Sequence, residues 1–246
     1  MSFRQSLLNG RQATGTWLFS PNPIYVELAA RVGIDFILVD LEHGEAVLQD
    51  VPLLLRAASG VSKAILVRPP SQDPPTQAKL ADFGVDGVVV PKVDTAQQAF
   101  EIASACRYPK RGTRGLAAGS IRASGYGTHT KYRQGADDDM LVAVQIETQD
   151  GMTNRDAIAA VDEVDMIFVG PNDLTADLGY PAQNAESGAI IDKLIEQLGR
   201  SGKRLGTIPY FGADRATLLK RNLSMLVTGS DIAAQRQYLE ALKKSV

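Results

Sequence analysis

An α/β fold, a closed (β/α)8 barrel, is what this sequence predicts, and three observations carry the prediction. Apolar runs rich in β-branched residues alternate with helical patterns from one end of the chain to the other. The runs are nearly continuous in apolar side chains, as expected for a parallel sheet covered by helices. Acids, a histidine and an arginine stand at the ends of several different runs, where such a barrel carries its chemistry.

Taken in order, the predicted strands are Gly15–Phe19, Asp35–Val39, Lys63–Val67, Gly87–Val90, Leu141–Ile146, Met166–Val169, Arg204–Ile208 and Met225–Val227. Helical segments are predicted at Ile24–Val32, Val51–Ser59, Thr76–Phe83, Ala96–Cys106, Arg155–Ala160, Ala189–Ser201, Asp214–Arg221 and Ile232–Lys244. The clearest is Ala96–Cys106, where Ala96, Phe100, Ile102, Ala103 and Ala105 fall mostly on helical spacing behind Asp94–Thr95 as a start. The alternation favours closure over an open doubly wound sheet, which would require the weakest strands, Gly15–Phe19 and Gly87–Val90, to be miscounted. Residues 1–246 read as one domain. One connection, Tyr108 to Met140, is unusually long and rich in glycine, serine and arginine. It fits a lid or subunit contact near an anionic substrate, and equally an excursion carrying short helices.

The length, 246 residues, suits a single barrel. A formal net charge of -2 gives no electrostatic reason to expect a nucleic-acid partner. The one cysteine, Cys106, excludes an internal disulfide framework and suits a reducing, cytoplasmic setting. No stretch approaches transmembrane length and no signal-like segment follows Met1, so no membrane association is expected. Asn222–Leu223–Ser224 matches the glycosylation pattern, and without a secretion signal it reads as chance.

Glu147 directly follows Leu141–Ile146, and Asp173 lies just past Met166–Val169. On neighbouring parallel strands these carboxylates meet at one rim, ready to hold Mg²⁺ or Mn²⁺ with waters or substrate oxygens completing the shell. The pair also fits a helix-capping Asp and a strand-end Glu held by an arginine. Asp40, Glu42 and His43 follow Phe36–Val39, and a strand-end acid, Asp40 or alternatively Glu42, can orient the imidazole and keep it basic. Arg68 follows Ala64–Val67 and precedes Pro69–Pro70, which aims it across the mouth at a carboxylate or developing enolate oxygen, or into an ion pair with a neighbouring acid. Trp17, the one tryptophan, falls near the first rim as a candidate apolar wall. Gly170–Pro171–Asn172–Asp173–Leu174 can turn tightly into a short helix whose free N–H groups face a substrate carboxylate. Lys63 and Lys92, at strand ends, leave a lysine-dependent aldolase as an alternative.

In this order and spacing, a set of motifs makes the chain resemble the HpcH/HpaI family of metal-dependent 2-oxo-acid aldolases. They are Gly15–Thr16–Trp17, Asp35 to His43, Val67–Arg68–Pro69, Gly112–Thr113–Arg114–Gly115, Arg122–Ala123–Ser124, Gln145–Ile146–Glu147–Thr148, Val169 to Leu174 and Gly229–Ser230–Asp231. The resemblance implies a barrel of the phosphoenolpyruvate/pyruvate type whose C-terminal helix is exchanged between subunits, commonly in a hexamer built as a trimer of dimers. It implies a divalent cation (Mg²⁺, Mn²⁺ or Co²⁺) on Glu147 and Asp173, and cleavage of a 4-hydroxy-2-oxo acid to pyruvate and an aldehyde. By it, Arg68 steadies the enolate oxygen, and His43, oriented by Asp40, moves a proton. Asp82 contacts a neighbouring subunit's site, while Gln145 lines the pocket. The backbone from Gly170 through Pro171 and Asn172 to Asp173 holds the substrate carboxylate. Asn172 stands where some family aldolases have alanine, and the acceptor aldehyde stays open. A CoA-thioester lyase of the citrate-lyase β-subunit type and a 2-oxo-acid-binding protein without turnover are the alternatives.

Overall fold

In the computed structural model, which describes residues 1–60, 63–181, 184–221 and 223–245, eight parallel strands pair strictly in chain order and the last closes onto the first. They are β1 (Ala13–Leu18), β2 (Phe36–Asp40), β3 (Ala64–Arg68), β4 (Gly87–Val90), β5 (Leu141–Ile146), β6 (Met166–Val169), β7 (Arg204–Thr207) and β8 (Met225–Ser230). Every predicted strand is present, and the open sheet is excluded. Asn222 of the glycosylation-like triplet lies outside the described residues.

The helices are α1 (Phe3–Leu8), α2 (Pro23–Val32), α3 (Val51–Ala57), α4 (Pro74–Phe83), α5 (Ala96–Cys106) and α6 (Tyr132–Asp139), followed by α7 (Gln149–Thr153), α8 (Arg155–Ala159), α9 (Pro171–Asp177), α10 (Ala185–Gly199), α11 (Arg215–Lys220) and α12 (Asp231–Lys244). Their ends follow local chemistry. Asp73 caps α4 by accepting the Thr76 N–H, and Gly84 ends it at φ 77°, a left-handed conformation that glycine holds without strain. Thr95 and Gln98 form a reciprocal capping box on α5. Sequence periodicity missed α1, α6 and α7, each of which buries a single residue: Leu7, Ala136 and Gly151. Such helices have no apolar stripe to read.

The strands bury both faces, and their two-residue period sorts the core into two clusters. Phe36, Leu38, Leu66, Ala143, Met166 and Phe168 fill the barrel, while Ile37, Val39, Ile65, Val67, Val142, Val144, Ile167 and Val169 meet the helices. Leu7 of α1 joins the interior cluster, and Phe3 packs on Phe36 with ring centroids 5.6 Å apart, so α1 plugs the floor.

A repeated tie binds that floor. Asp35, Asp86 and Asp165 each precede an even-numbered strand, and each accepts a backbone N–H near the start of the preceding odd strand: Thr14 at 2.9 Å, Ile65 at 2.8 Å and Val142 at 2.9 Å. Asp165 is the most heavily engaged, with Arg4 at 2.7 Å and the fully buried Arg107 at 3.1 Å.

The long connection runs from the end of α5 to the start of β5, so it belongs to this floor and not to the mouth. Three of its four arginines are bound within the chain: Arg111 to Glu163 and Asp138, both at 2.7 Å, Arg114 to Asp82 at 2.8 Å, and Arg122 to the Phe83 carbonyl at 2.8 Å. The expectation of a lid over the chain's own site is therefore corrected. The segment is instead an excursion with a 3₁₀ turn at Arg122–Ser124 and the helix α6.

The floor tie is testable. Asp165→Ala leaves the Arg107 guanidinium short of a buried partner and the Val142 N–H without an acceptor, so urea unfolding is expected to show a loss of about 3–5 kcal/mol. Asp35→Ala removes a partner of the half-exposed Arg11 and is expected to cost about 1 kcal/mol. Equal losses at the two positions would show that burial does not set the strength of the tie.

Candidate active site

The inward parity of the strands continues past the apolar core and delivers the site. Beyond Phe36 and Leu38 the next inward position is Asp40, beyond Leu66 it is Arg68, beyond Ala143 it is Gln145 and then Glu147, and beyond Phe168 it is Gly170. Trp17 holds the corresponding place on β1. These residues form the uppermost layer of the barrel interior, at the C-terminal ends of the strands. A cavity of about 190 Å³ opens there, lined by Trp17, Phe19, His43, Arg68, Gln145, Glu147, Phe168, Gly170, Pro171, Asn172, Asp173 and Ile208. A hollow of about 400 Å³ between α8 and α10 is larger, but it gathers no comparable set of acids and bases.

Arg68 is the hub. It is buried, sits 4.4 Å above the Trp17 ring, and forms a two-pronged pair with Asp40 at 2.9 and 2.6 Å. Its third nitrogen lies 3.3 Å from Glu42. Burial works against its charge, but the bonds to Asp40 and the charges of Asp40, Glu42 and Glu147 outweigh that and hold it protonated.

Asp40 is fully buried, and besides Arg68 it accepts the backbone N–H groups of Glu42 and His43 at 3.0 and 3.3 Å. It does not reach the imidazole. The expectation that Asp40 orients the His43 ring is corrected: the Arg68 fork and two backbone donors occupy its oxygens. The acid beside the ring is Glu42, whose Oε2 stands 3.7 Å from His43 Nε2. His43 itself is half exposed at the cavity wall.

Glu147 is held from two sides. Gln145 donates its amide N–H to Oε2 at 2.6 Å, and the backbone N–H of Lys92 donates to Oε1 at 2.8 Å. A glycine at 170 is required for this pose, because a Cβ there would lie 2.5 Å from Glu147 Oε2. Burial, and next the charge of Asp173, push the Glu147 carboxyl up from 4.5 to about 7. Asp173 sits in the first turn of α9, capped by Gly170 without any side-chain hydrogen bond. A divalent cation fits these residues on chemical grounds. Two hard carboxylates face one cavity, burial and the charge of the other disfavour ionisation of Glu147, and the buried Oε1 of Gln145 lacks a hydrogen-bond partner. No group of three or more His, Cys, Asp or Glu side chains forms a closed cage among the described residues.

Asp82 falls outside this cluster. It lies at the end of α4, near the floor, and pairs with Arg114, so it takes no part in its own chain's site. Sequence reading missed Phe19, Phe168 and Ile208 as walls of the cavity, although each continues an inward register. Lys92, read only as a lysine nucleophile candidate, is placed instead against Glu147 and Glu42.

Comparison with known proteins agrees with this fold. Residues 13–207 match the family described as HpcH/HpaI aldolase/citrate lyase. A 2-keto-3-deoxy-L-rhamnonate aldolase from Klebsiella pneumoniae is 34% identical over 240 residues, covering 97% of this chain and 90% of that protein. A 4-hydroxy-2-oxo-heptane-1,7-dioate aldolase from Escherichia coli is 39% identical over 209 residues, covering 84% and 80%. The crystal structure of an HpcH/HpaI aldolase from Desulfitobacterium hafniense superposes with a TM-score of 0.90 at 27% identity, covering 100% of this chain and 96% of that one. With the barrel, the uppermost polar layer and these matches in hand, the chain belongs to the HpcH/HpaI aldolase/citrate lyase family.

Proposed function

We propose that the protein is a divalent-metal-dependent aldolase that cleaves and forms 4-hydroxy-2-oxo acids, yielding pyruvate or a pyruvate analogue and an aldehyde. The observation that carries this reading is the buried Glu147 lining, together with Asp173, a cavity that also holds Arg68 and His43. Relatives named as aldolases of a 2-keto-3-deoxy sugar acid and of a 4-hydroxy-2-oxo diacid support it. A cation (Mg²⁺, Mn²⁺ or Co²⁺) held by Glu147 and Asp173 would supply a Lewis acid for the keto group.

The remaining work falls to the chain. In the first turn of α9, from Gly170 through Pro171 and Asn172 to Asp173, the N–H groups free for the substrate carboxylate are those of Asn172 and Asp173, because Pro171 has none and the Gly170 N–H donates to the Ile146 carbonyl at 3.1 Å. Trp17 and Gln145 wall the pocket. His43, beside Glu42, takes the proton from the 4-hydroxyl while the C3–C4 bond breaks and its electron pair moves onto the 2-oxo acid fragment. Arg68 stabilises the charge that then develops on the keto oxygen. Protonation at C3 completes the release of pyruvate.

The reading extends to assembly and setting. The last helix, α12, exposes Ile232, Tyr238, Leu239 and Leu242, and α2 exposes Ile24, Leu28 and Val32 along one stripe. Such apolar faces support exchange of α12 between subunits and a homo-oligomer, with a trimer of dimers as the proposed form. Asp82 is then assigned to a neighbouring subunit's site. No described helix is long and apolar enough to cross a membrane, and a cytoplasmic location is proposed from the family's metabolic character.

Purified protein assayed with 4-hydroxy-2-oxo acids of several lengths is expected to release pyruvate with Mg²⁺, Mn²⁺ or Co²⁺ and not after chelation. No release across that panel by folded, metal-loaded protein would overturn the assignment. Turnover of a malyl-type CoA ester in its place would favour the thioester lyase.

Arg68→Ala is expected to lower kcat by about 10²–10³ while raising KM less, because charge reaches the keto oxygen only as the bond breaks. It also leaves the buried Asp40 unpaired, so the kinetics need a temperature at which circular dichroism shows the variant folded. A rise in KM alone would make Arg68 a carboxylate anchor.

Glu147 predicts a pH signature. Its folded pKa of about 7 lies above the ordinary 4.5, so the folded state binds the proton more tightly. Metal-free protein should therefore lose stability, on the order of 3 kcal/mol, as pH rises from 4.5 through 7. Glu147→Gln should flatten the upper part of that slope and leave the share of Asp86, whose carboxyl burial pushes up to about 6, and Mn²⁺ should raise Tm more at pH 8 than at pH 5. A metal-free Tm independent of pH across this window would contradict the assignment.

A further inference from the structure

Lys92 follows β4 and Pro91 at the barrel mouth in a conformation that lysine seldom adopts. Three non-glycine residues have positive φ among the described residues, and Lys92, at φ 55°, is the one beside the site. The left-handed region crowds the Cβ of any residue except glycine. The peptide is nevertheless pinned on every side. Its N–H donates to Glu147 Oε1 at 2.8 Å, Gln72 donates to its carbonyl and to that of Pro91, and the next N–H, of Val93, donates to the Gln145 carbonyl at 3.1 Å. The left-handed turn thus aims a backbone donor at Glu147, one of the two carboxylates assigned to the cation.

Glycine would make that turn without strain, so the lysine side chain needs its own explanation. The ammonium lies 3.4 Å from Glu42 Oε1, while Arg68 and His43 face the other Glu42 oxygen at 3.3 and 3.7 Å. Glu42 is only 10% exposed, whereas Lys92 is 57% exposed and bridges it to solvent. The mouth holds Asp40, Glu42, Glu147 and Asp173 against the permanent cations Arg68 and Lys92. A divalent cation then brings it to formal neutrality. Without Lys92 one carboxylate charge is left over, facing an anionic 2-oxo acid.

Building on the metal-dependent reading above, we infer that Lys92 is a positioning residue with two separable parts. Its left-handed peptide sets the Glu147 carboxylate for the cation, and its ammonium holds and neutralises Glu42 so that an anionic substrate can enter.

Calorimetric titration of the metal-free protein with Mn²⁺ tests the first part. Lys92→Val, β-branched at a positive φ, is expected to weaken Mn²⁺ binding about fivefold or more, whereas Lys92→Gly keeps the N–H, relieves the strain and binds at least as tightly as wild type. Steady-state kinetics test the second part. Lys92→Met and Lys92→Gly are expected to raise KM for the 2-oxo acid about two- to fivefold, and Lys92→Arg less. The difference should shrink in 0.5 M salt, because the pair is half exposed. Wild-type Mn²⁺ affinity in Lys92→Val would overturn the backbone role. A KM unchanged in both Lys92→Met and Lys92→Gly at low salt would overturn the ammonium role, and glycine, which suits the turn, keeps that arm free of folding defects. Wild-type protein that bound no Mn²⁺ would instead sink the metal-dependent reading itself.

Discussion

The alternation of side-chain direction along strands locked in register is the constraint from which the rest follows. Parallel pairing sets Asp40 opposite Arg68 across β2 and β3, and Gln145 opposite Phe168 across β5 and β6. Once the apolar pairs below them are packed, these polar residues have no direction left but inward. A one-residue slip in β3 would turn Arg68 out among the helices and bring Val67 into the mouth. The dense interior of Phe36, Leu38, Leu66, Met166 and Phe168 therefore acts as the gauge that positions the chemistry above it.

Burying that polar layer creates an electrostatic problem that the chain solves locally. Arg68 and Asp40 satisfy each other, and the Trp17 face covers the guanidinium where water would otherwise sit. Glu147 is the exception. Its two donors, the Gln145 amide and the Lys92 peptide, are neutral, and among the described residues no cation forms an ion pair with it. A protein assembled for stability alone would place an arginine there. Leaving a buried acid undercompensated is what a binding site for a cation requires.

Much of this was legible in the sequence, for physical reasons that differ between elements. The strands were readable because continuous β-branched runs have few other folded uses, and Glu147, Asp173, Arg68 and His43 were readable because they stand at run ends. The partner of the His43 ring was not. Asp40 and Glu42 are both within local reach of it, and only the three-dimensional approach of Arg68 decides which acid is already occupied. Of the two readings of the long connection, the excursion with short helices holds and the lid does not, and its place in chain order, after a helix and before a strand, already assigned it to the floor. Lys92 stood out in the sequence only as a strand-end lysine, since a positive φ at a lysine is invisible until the backbone is seen.

The closing pair of the barrel joins the two ends of the chain: Ala13 lies opposite Met225, and Trp17 opposite Ser230. During synthesis the growing sheet therefore keeps both edges open until the last strand has left the ribosome tunnel. Unpaired edges of Val- and Ile-rich strands are templates for pairing with other chains. The Arg4–Asp165 bridge cannot form until some two-thirds of the chain exists, so the plug of the floor is fixed late as well, though before β8 closes the sheet. A ribosome that stalls or terminates before β8 thus releases an aggregation-prone fragment in place of a smaller enzyme.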